Sequence, residues 1–234
     1  MPDNHLYYGD NLTILRERIP DESVDLIYLD PPFNSNATYN VLFKSQSGEA
    51  AAAQIQAFDD TWHWSQQTEK LFLSMIGGGC PPRVADALTA MRNLLGTSDM
   101  NAYLVMMTAR LVELHRVLKS TGSLYLHCDP TASHYLKIVL DAVFGPEHLL
   151  NEVIWKRTGT HSSANRWGPI HDVILMYGNG PQHTWNRPYR PLAEEHRQRH
   201  YRLKDAQGRV YTHGELTAPG TRNGRSGRDC CMVR

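Results

Sequence analysis

The stretch VDLIYLDPPF, residues 24–33, decides the fold. Its first six residues are mostly apolar and rich in β-favouring types, which predicts a buried strand from Val24 to Leu29. Asp30 and two prolines follow, and prolines fix φ and have no backbone N–H to donate to a sheet. The strand therefore ends in a stiff turn that carries an acid and an aromatic ring. In open α/β sheets, ligands bind at the carboxyl ends of the strands.

The groups that this turn presents suit a planar amine. Asp30 contributes carboxylate oxygens and Phe33 contributes a flat aromatic face. Pro31 and Pro32 contribute carbonyl oxygens, so the turn can accept both hydrogens of an amino group while the ring stacks on its face. The alternative is an acidic turn closed by a proline pair, with Phe33 in the core.

The surrounding sequence resembles a known family, the amino-methyltransferases of DNA. The order of the motifs resembles the permuted subgroup of that family, in which the catalytic motif precedes the cofactor motif. The resemblance covers nearly the whole chain to about residue 227, and besides DPPF it rests on residues 6–11, 34–40, 61–64, 118–129, 151–157 and 171–177.

The resemblance implies an S-adenosylmethionine-dependent enzyme of DNA methylation and restriction-modification. It implies methyl transfer to the exocyclic N6 of an adenine that is flipped out of the duplex. An acid at position 30 favours adenine over cytosine in this family as a tendency, so N4-cytosine specificity stays open. The catalytic residues would be Asp30, Pro31, Pro32 and Phe33, and the cofactor-binding residues Asp10 and Asp30. Asp10 also suits the N-cap of a helix over residues 11–18.

The resemblance and the alternation of predicted strands and helices indicate one fold class. We expect an α/β, Rossmann-like methyltransferase fold with a mostly parallel sheet and helices on both faces. The first strand is predicted at residues 6–8, and the last two strands, at 153–155 and 173–177, are close enough to be antiparallel. We expect a partial catalytic domain at 1–180 and the start of a basic target-recognition region at 181–234.

One family feature does not occur in the sequence. In the permuted subgroup a Phe-x-Gly-x-Gly-like cofactor loop follows the recognition region, and the last seven residues here, RDCCMVR, do not resemble the family. We therefore expect a truncated chain whose sheet lacks the cofactor-loop strands and whose activity is weak or lost. The alternative is a catalytically inactive half-enzyme that binds DNA or depends on a second chain for the missing part.

Charge is distributed unevenly, although the net charge is zero. Residues 155–234 carry 14 Lys and Arg against 6 Asp and Glu, and several aromatic residues lie among them. This composition favours double-stranded DNA as the partner over protein amide substrates, although RNA and a solvated basic tail remain alternatives. The predicted nucleic-acid contacts are Arg157, Arg166, Arg187, Arg190, Arg197 and Arg199.

Other patterns indicate structural roles or none. The four cysteines form no CxxC pair, so we expect free thiols and no metal site. No apolar run reaches the roughly 20 residues of a membrane span and no signal peptide is visible, which favours a cytoplasmic protein. Trp62 and Trp64 suit either a base entrance or the core. His127 and Asp129 follow a predicted strand, and we expect a structural role for both.

Overall fold

A computed structural model describes residues 4–31, 38–40, 56–59, 62–157, 165, 170–187, 189 and 194–212. The chain divides into two compact units, Met1–Trp185 and Asn186–Arg234. The roles predicted for two domains remain predictions.

The first unit alternates helices with strands. Its helices are α1 (Asn11–Arg18), α2 (Gln66–Ser74) with a π-helical turn (Met75–Gly79), α3 (Pro82–Leu95), α4 (Asp99–Val117) and α5 (Pro130–Phe144) with a 3₁₀ turn (Pro146–His148). Its strands are β1 (Val24–Leu29), β2 (Thr38–Asn40), β3 (Gln56–Asp59), β4 (Leu118–Cys128), β5 (Leu149–Lys156) and β6 (His171–Gly178). The second unit contains α6 (Glu194–His200) and the antiparallel pair β7 (Leu203–Lys204) and β8 (Val210–Tyr211).

The main sheet has the strand order β1-β4-β6-β5. Strand β1 pairs with β4 in parallel, whereas β6 is antiparallel to both β4 and β5. The predicted α/β class is confirmed. The prediction of a mostly parallel sheet is corrected, because the main sheet is mixed within the described residues. A helix, α5, joins β4 to β5 and lets these strands run the same way, while β5 leads into β6 without a helix among the described residues.

Helix α4 lies in the centre of the first unit. On the side of the sheet, Leu104 and Leu111 share the main core with Leu124 and Leu175. On the other side, Val105 and Ala109 pack in a second cluster with residues of α2 and α3. A helix that is apolar around most of its circumference must be covered on both sides, and α4 meets that requirement.

The opposite face of the sheet differs. Leu26 and Tyr28 of β1 and Trp155 of β5 are more than half exposed, at 61%, 58% and 58%. On β1 these residues alternate with Ile27 and Leu29, which pack in the main core. Among the described residues, helices therefore pack onto one face, and the second helical layer that we expected is not found there.

The strand predicted at residues 6–8 is wrong. This segment has no strand partner in the described part of the chain, and Leu6 and Tyr8 are almost fully exposed. A β-favouring composition stabilises a strand only where a neighbouring strand completes its hydrogen bonds. The helix predicted after Asp10 and the N-cap predicted at Asp129 are both confirmed, since each carboxylate accepts a hydrogen bond from a backbone N–H of its helix.

Candidate active site

One edge of the main sheet brings together ends of all four strands. Since β1, β4 and β5 run the same way, their carboxyl ends lie at this edge, and the antiparallel β6 begins there. The edge therefore carries Asp30 after β1, His127 near the end of β4, Arg157 after β5 and Asp172 near the start of β6. The predicted position of Asp30, at the carboxyl end of a strand, is confirmed.

These four side chains form one array of polar contacts. Nδ1 of His127 lies 3.1 Å from Oδ1 of Asp30, and Nε2 of the same ring lies 3.1 Å from Oδ2 of Asp172. Nη1 of Arg157 donates to Oδ1 of Asp172 at 3.2 Å. The Asp172 side chain is 4% exposed and that of Asp30 is 61% exposed, so the array extends from the interior to the surface.

A cavity of about 490 Å³ lies beside Asp30. Its lining includes Asp10, Asp30, Pro31, Trp62 and Arg110, together with apolar residues of α4. Pockets that hold small molecules typically measure about 300–1,000 Å³ and combine apolar walls with a few polar groups. The cavity therefore has the size and composition of a ligand site.

Asp10 has the structural role that the sequence predicted, and it also has a side-chain hydrogen-bond partner that the sequence did not predict. Its Oδ1 accepts a hydrogen bond from the backbone N–H of Leu12 at 3.0 Å, which is the N-cap interaction of α1. The same oxygen accepts a hydrogen bond from Nη2 of Arg110 at 2.7 Å, and Nε of Arg110 donates to Oδ1 of Asn11 at 2.6 Å. Burial lowers the pKa of the Arg110 guanidinium, and the Asp10 carboxylate opposes that shift. The cofactor role of Asp10 remains a prediction.

The structure separates the two tryptophans. Trp64 packs against the second cluster, its Nε1–H donates to Glu69 at 2.7 Å, and the Arg92 guanidinium lies 3.9 Å from its ring centroid. This is a packing role. Trp62 packs against the main core, which confirms the packing expectation, and it also lines the cavity, while its role at a base entrance remains a prediction.

Two charged residues of the site were not predicted from the sequence, and a third residue of the site was expected to have only a structural role. Asp172 is a lone acid in an apolar strand, and Arg110 is a lone base within the apolar stretch of α4. Such isolated charges in buried elements are the signal that could have found them, because a buried charge requires a partner. His127, for which we expected a structural role, lies between two carboxylates at the edge.

The remaining predicted residues divide into two groups. Arg187 and Arg199 are exposed in the second unit, which is consistent with a DNA contact without testing it. Pro32, Phe33, Arg166 and Arg190, and the side chain of Arg197, lie outside the described residues.

Neither a metal site nor a membrane-spanning helix occurs among the described residues. No group of three or more His, Cys, Asp or Glu side chains in that part of the chain could hold a metal ion. None of the described helices is long and apolar enough to cross a membrane.

Comparison with known proteins identifies the family of this chain. Residues 24–220 match the family model described as DNA methylase of the N6/N4 type, and the chain belongs to this family. The predicted family membership is confirmed. The family includes enzymes of both base specificities, so the match does not decide between adenine and cytosine.

Curated relatives come from restriction-modification systems. The type II methyltransferase M.EcaI of Enterobacter cloacae is 25% identical over 97% of this chain and 40% of its own length. The Mod subunit of the type III restriction-modification enzyme StyLTI of Salmonella typhimurium is 27% identical over 83% of this chain and 26% of its own. The chain thus spans less than half the length of these relatives.

Similar solved structures include two DNA methylases. The PvuII DNA methyltransferase, described as cytosine-N4-specific, is 12% identical, with 75% of this chain and 49% of that chain covered and a TM-score of 0.41. A DNA modification methylase of Thermus thermophilus, solved in complex with S-adenosyl-L-methionine, is 16% identical, with 81% and 59% covered and a TM-score of 0.38. TM-scores this low carry no argument about function.

Proposed function

We propose that this chain provides the catalytic part of an S-adenosylmethionine-dependent methyltransferase that modifies N6 of adenine in DNA. The observation that carries the proposal is the position of Asp30. In a member of the DNA methylase family, the acid of the DPPF motif lies at the carboxyl edge of the sheet and lines a cavity of ligand size.

The chemistry follows from the electronic state of the base. The lone pair of the adenine amino group is delocalised into the ring, so the nitrogen is a poor nucleophile. The Asp30 carboxylate and the Pro31 carbonyl would each accept one N–H hydrogen, which draws the nitrogen toward tetrahedral geometry and localises its lone pair. Asp30 is also the base that would take the proton that the nitrogen loses on methylation. Stacking on Phe33 would offset the cost of base flipping with about 1–3 kcal/mol.

The described residues fit S-adenosylmethionine in size and polarity. When bound, this cofactor supplies an electrophilic methyl group on a positively charged sulfur. Asp10 and Asp30 line the cavity and offer carboxylate oxygens to its hydroxyl and amino groups, while Trp62 and the apolar side chains of α4 exclude water. The glycine-rich loop typical of the permuted subgroup is absent from the sequence, so we infer that this chain alone binds the cofactor weakly.

We infer that double-stranded DNA is the partner. The support is the excess of Lys and Arg in residues 155–234, together with the exposed side chains of Arg157, Arg187 and Arg199. Cationic side chains that contact phosphates release counterions, which gives the sequence-independent part of DNA affinity.

The product of the reaction tests this function. Unmethylated DNA is incubated with S-adenosylmethionine and the purified chain, alone and together with a fragment of a relative that carries the glycine-rich loop. Mass spectrometry of the digested nucleosides should then show N6-methyladenine. N4-methylcytosine instead would overturn the base assignment but keep the chemistry, and the absence of any methylated base in both mixtures would contradict the function.

A second candidate is a half-enzyme that depends on a partner chain. The exposed apolar side chains of Leu26, Tyr28 and Trp155 on one sheet face favour it, because exposed apolar surface of this kind is commonly covered by another protein. Stable association with the loop-bearing fragment in size-exclusion chromatography, lost in a Tyr28→Lys variant and kept in a Tyr189→Lys variant, would support this candidate. A fragment that elutes separately from the parent chain would contradict it.

A further inference from the structure

We propose that His127 is a positioning residue for the catalytic carboxylate of Asp30, and that Asp172 and Arg157 hold His127 in place. This inference rests on the proposed function of Asp30. It assigns a role to residues of β4 and β6 and to the residue that follows β5, none of which belongs to the DPPF motif.

The first step concerns the freedom of Asp30. Its side chain is 61% exposed and follows the last residue of β1, so the backbone fixes the Cβ but not the rotamer. A carboxylate that must meet an amino group needs one rotamer, because a misplacement of about 1 Å can cost a reaction about 100-fold in rate. Nδ1 of His127 lies 3.1 Å from Oδ1 and favours the rotamer that keeps this contact.

The second step concerns the orientation of the histidine ring. Nε2 of His127 is hydrogen-bonded at 3.1 Å to Oδ2 of Asp172, whose side chain is only 4% exposed. The other oxygen of Asp172 accepts a hydrogen bond from Arg157 at 3.2 Å. Both carboxylate oxygens are therefore occupied, and the Asp172 side chain is fixed by burial, so it fixes the ring plane of His127.

The third step concerns the two oxygens of the Asp30 carboxylate. Nδ1 of His127 lies 3.1 Å from Oδ1, so the ring engages this oxygen. The Asp30 side chain is 61% exposed, and its second oxygen can accept a hydrogen bond from the substrate amine. Hence the array orients the acceptor and leaves its chemistry to Asp30.

A simpler role for His127 would be to hold β4 and β6 together through Asp172. The two roles differ in one respect. If His127 only linked β4 to β6, its contribution to stability would not depend on Asp30. Energetic coupling between positions 127 and 30 therefore distinguishes them.

A double-mutant cycle tests this coupling without cofactor or DNA. Urea unfolding is measured for the parent, His127→Ala, Asp30→Ala and the double variant. We expect the two single effects to be non-additive by about 3-fold or more in the unfolding equilibrium constant. The matched control is Asp25→Ala, an exposed acid of β1 that pairs with Lys119 and should add independently to His127→Ala. Additivity of Asp30→Ala and His127→Ala would overturn the proposal.

Methyl transfer gives the second readout. His127→Ala should lower kcat by about 10-fold and change the KM for DNA by less than about 2-fold, because the ring that contacts Oδ1 of the acceptor and holds its rotamer is lost. His127→Asn keeps a side-chain N–H near the position of Nδ1 and should recover part of kcat. An unchanged kcat in His127→Ala would overturn the proposal. If the parent transfers no methyl group at all, the proposed function fails, while the unfolding cycle still decides whether His127 holds Asp30.

Discussion

Arg110 donates a hydrogen bond from Nη2 to Oδ1 of Asp10 at 2.7 Å, which joins the middle of α4 to the N-cap of α1. Both residues line the cavity beside Asp30. The Arg110 side chain is 17% exposed, so its charge depends on protein partners for stabilisation. One ion pair thus fixes a wall of the candidate cofactor site and the start of the first helix.

Replacing Arg110 should destabilise the fold. Arg110→Met keeps much of the volume but removes the hydrogen bonds to Asp10 and Asn11. Hydrogen bonds to charged groups are worth about 1.5–3 kcal/mol, so we expect the free energy of unfolding to fall by an amount of that order. Urea denaturation monitored by circular dichroism measures it. The control is Arg209→Met, whose side chain is 77% exposed and whose pair with Asp205 should contribute much less, because solvent screens it. Equal losses in the two variants would contradict the role of Arg110.

Replacing Asp30 should reduce turnover with little loss of DNA affinity. Asp30→Ala removes the charged acceptor of the amine and leaves the basic region intact, so kcat should fall by about 10- to 100-fold. Asp30→Asn keeps the shape of the side chain and one acceptor, so its kcat should lie between that of the parent and that of Asp30→Ala. Radiolabelled methyl transfer gives kcat, and Asp25→Ala, on the same strand, is the control. A variant without Asp30 that methylates as fast as the parent would contradict its catalytic role.

The affinity for cofactor should be low in the chain by itself. The cavity supplies carboxylates and apolar walls, but the sequence lacks the glycine-rich loop whose backbone N–H groups we expect to contact the cofactor. Isothermal titration calorimetry with S-adenosylmethionine should therefore show binding weaker than micromolar or none. A dissociation constant of about 1 μM or tighter would show that the residues of this cavity suffice.

DNA affinity should fall steeply with salt. Each phosphate contact releases a condensed counterion, so the slope of log affinity against log salt counts the contacts at about 0.9 per phosphate. Filter binding between about 50 and 200 mM salt measures the slope. The double variant Arg187→Ala, Arg199→Ala should flatten this slope. The control Arg209→Ala should change the slope less, because Arg209 is already paired with Asp205. Affinity that does not respond to salt would count against phosphate contacts.

Cys128 should resist thiol reagents in the folded protein. It is fully buried, and burial together with the neighbouring carboxylate of Asp129 raises the pKa of its thiol to about 12. Because only the thiolate reacts and a raised pKa keeps the thiol protonated until high pH, the reactive fraction at pH 8 is on the order of 10⁻⁴. Mass mapping after iodoacetamide treatment should find Cys128 unmodified without urea and alkylated in urea. Native labelling of Cys128 as fast as that of half-buried Cys80 would contradict the burial.

The sequence by itself determined the features that depend on near neighbours in the chain. Strand β1 and its end just before Asp30 followed from an apolar run before two prolines, but the prediction that this strand is buried is wrong, since Ile27 is its one buried residue. The N-caps at Asp10 and Asp129 followed from an acid placed directly before a helical pattern. Family membership also followed from the sequence alone, because each motif of the resemblance is a short contiguous stretch and their order along the chain can be read directly.

Only the tertiary structure decided the features that depend on strand order. The segment at residues 6–8 has a β-favouring composition, yet it forms no strand, because a ladder requires a partner that composition does not specify. The array of Asp30, His127 and Asp172 exists because β6 runs antiparallel beside β4 and so begins at the edge where β1 and β4 end. Reversal of β6 would move Asp172 to the far edge without changing a residue. Pairing direction is set by packing over the whole sheet, so the partner of Asp30 could not be predicted from its own motif.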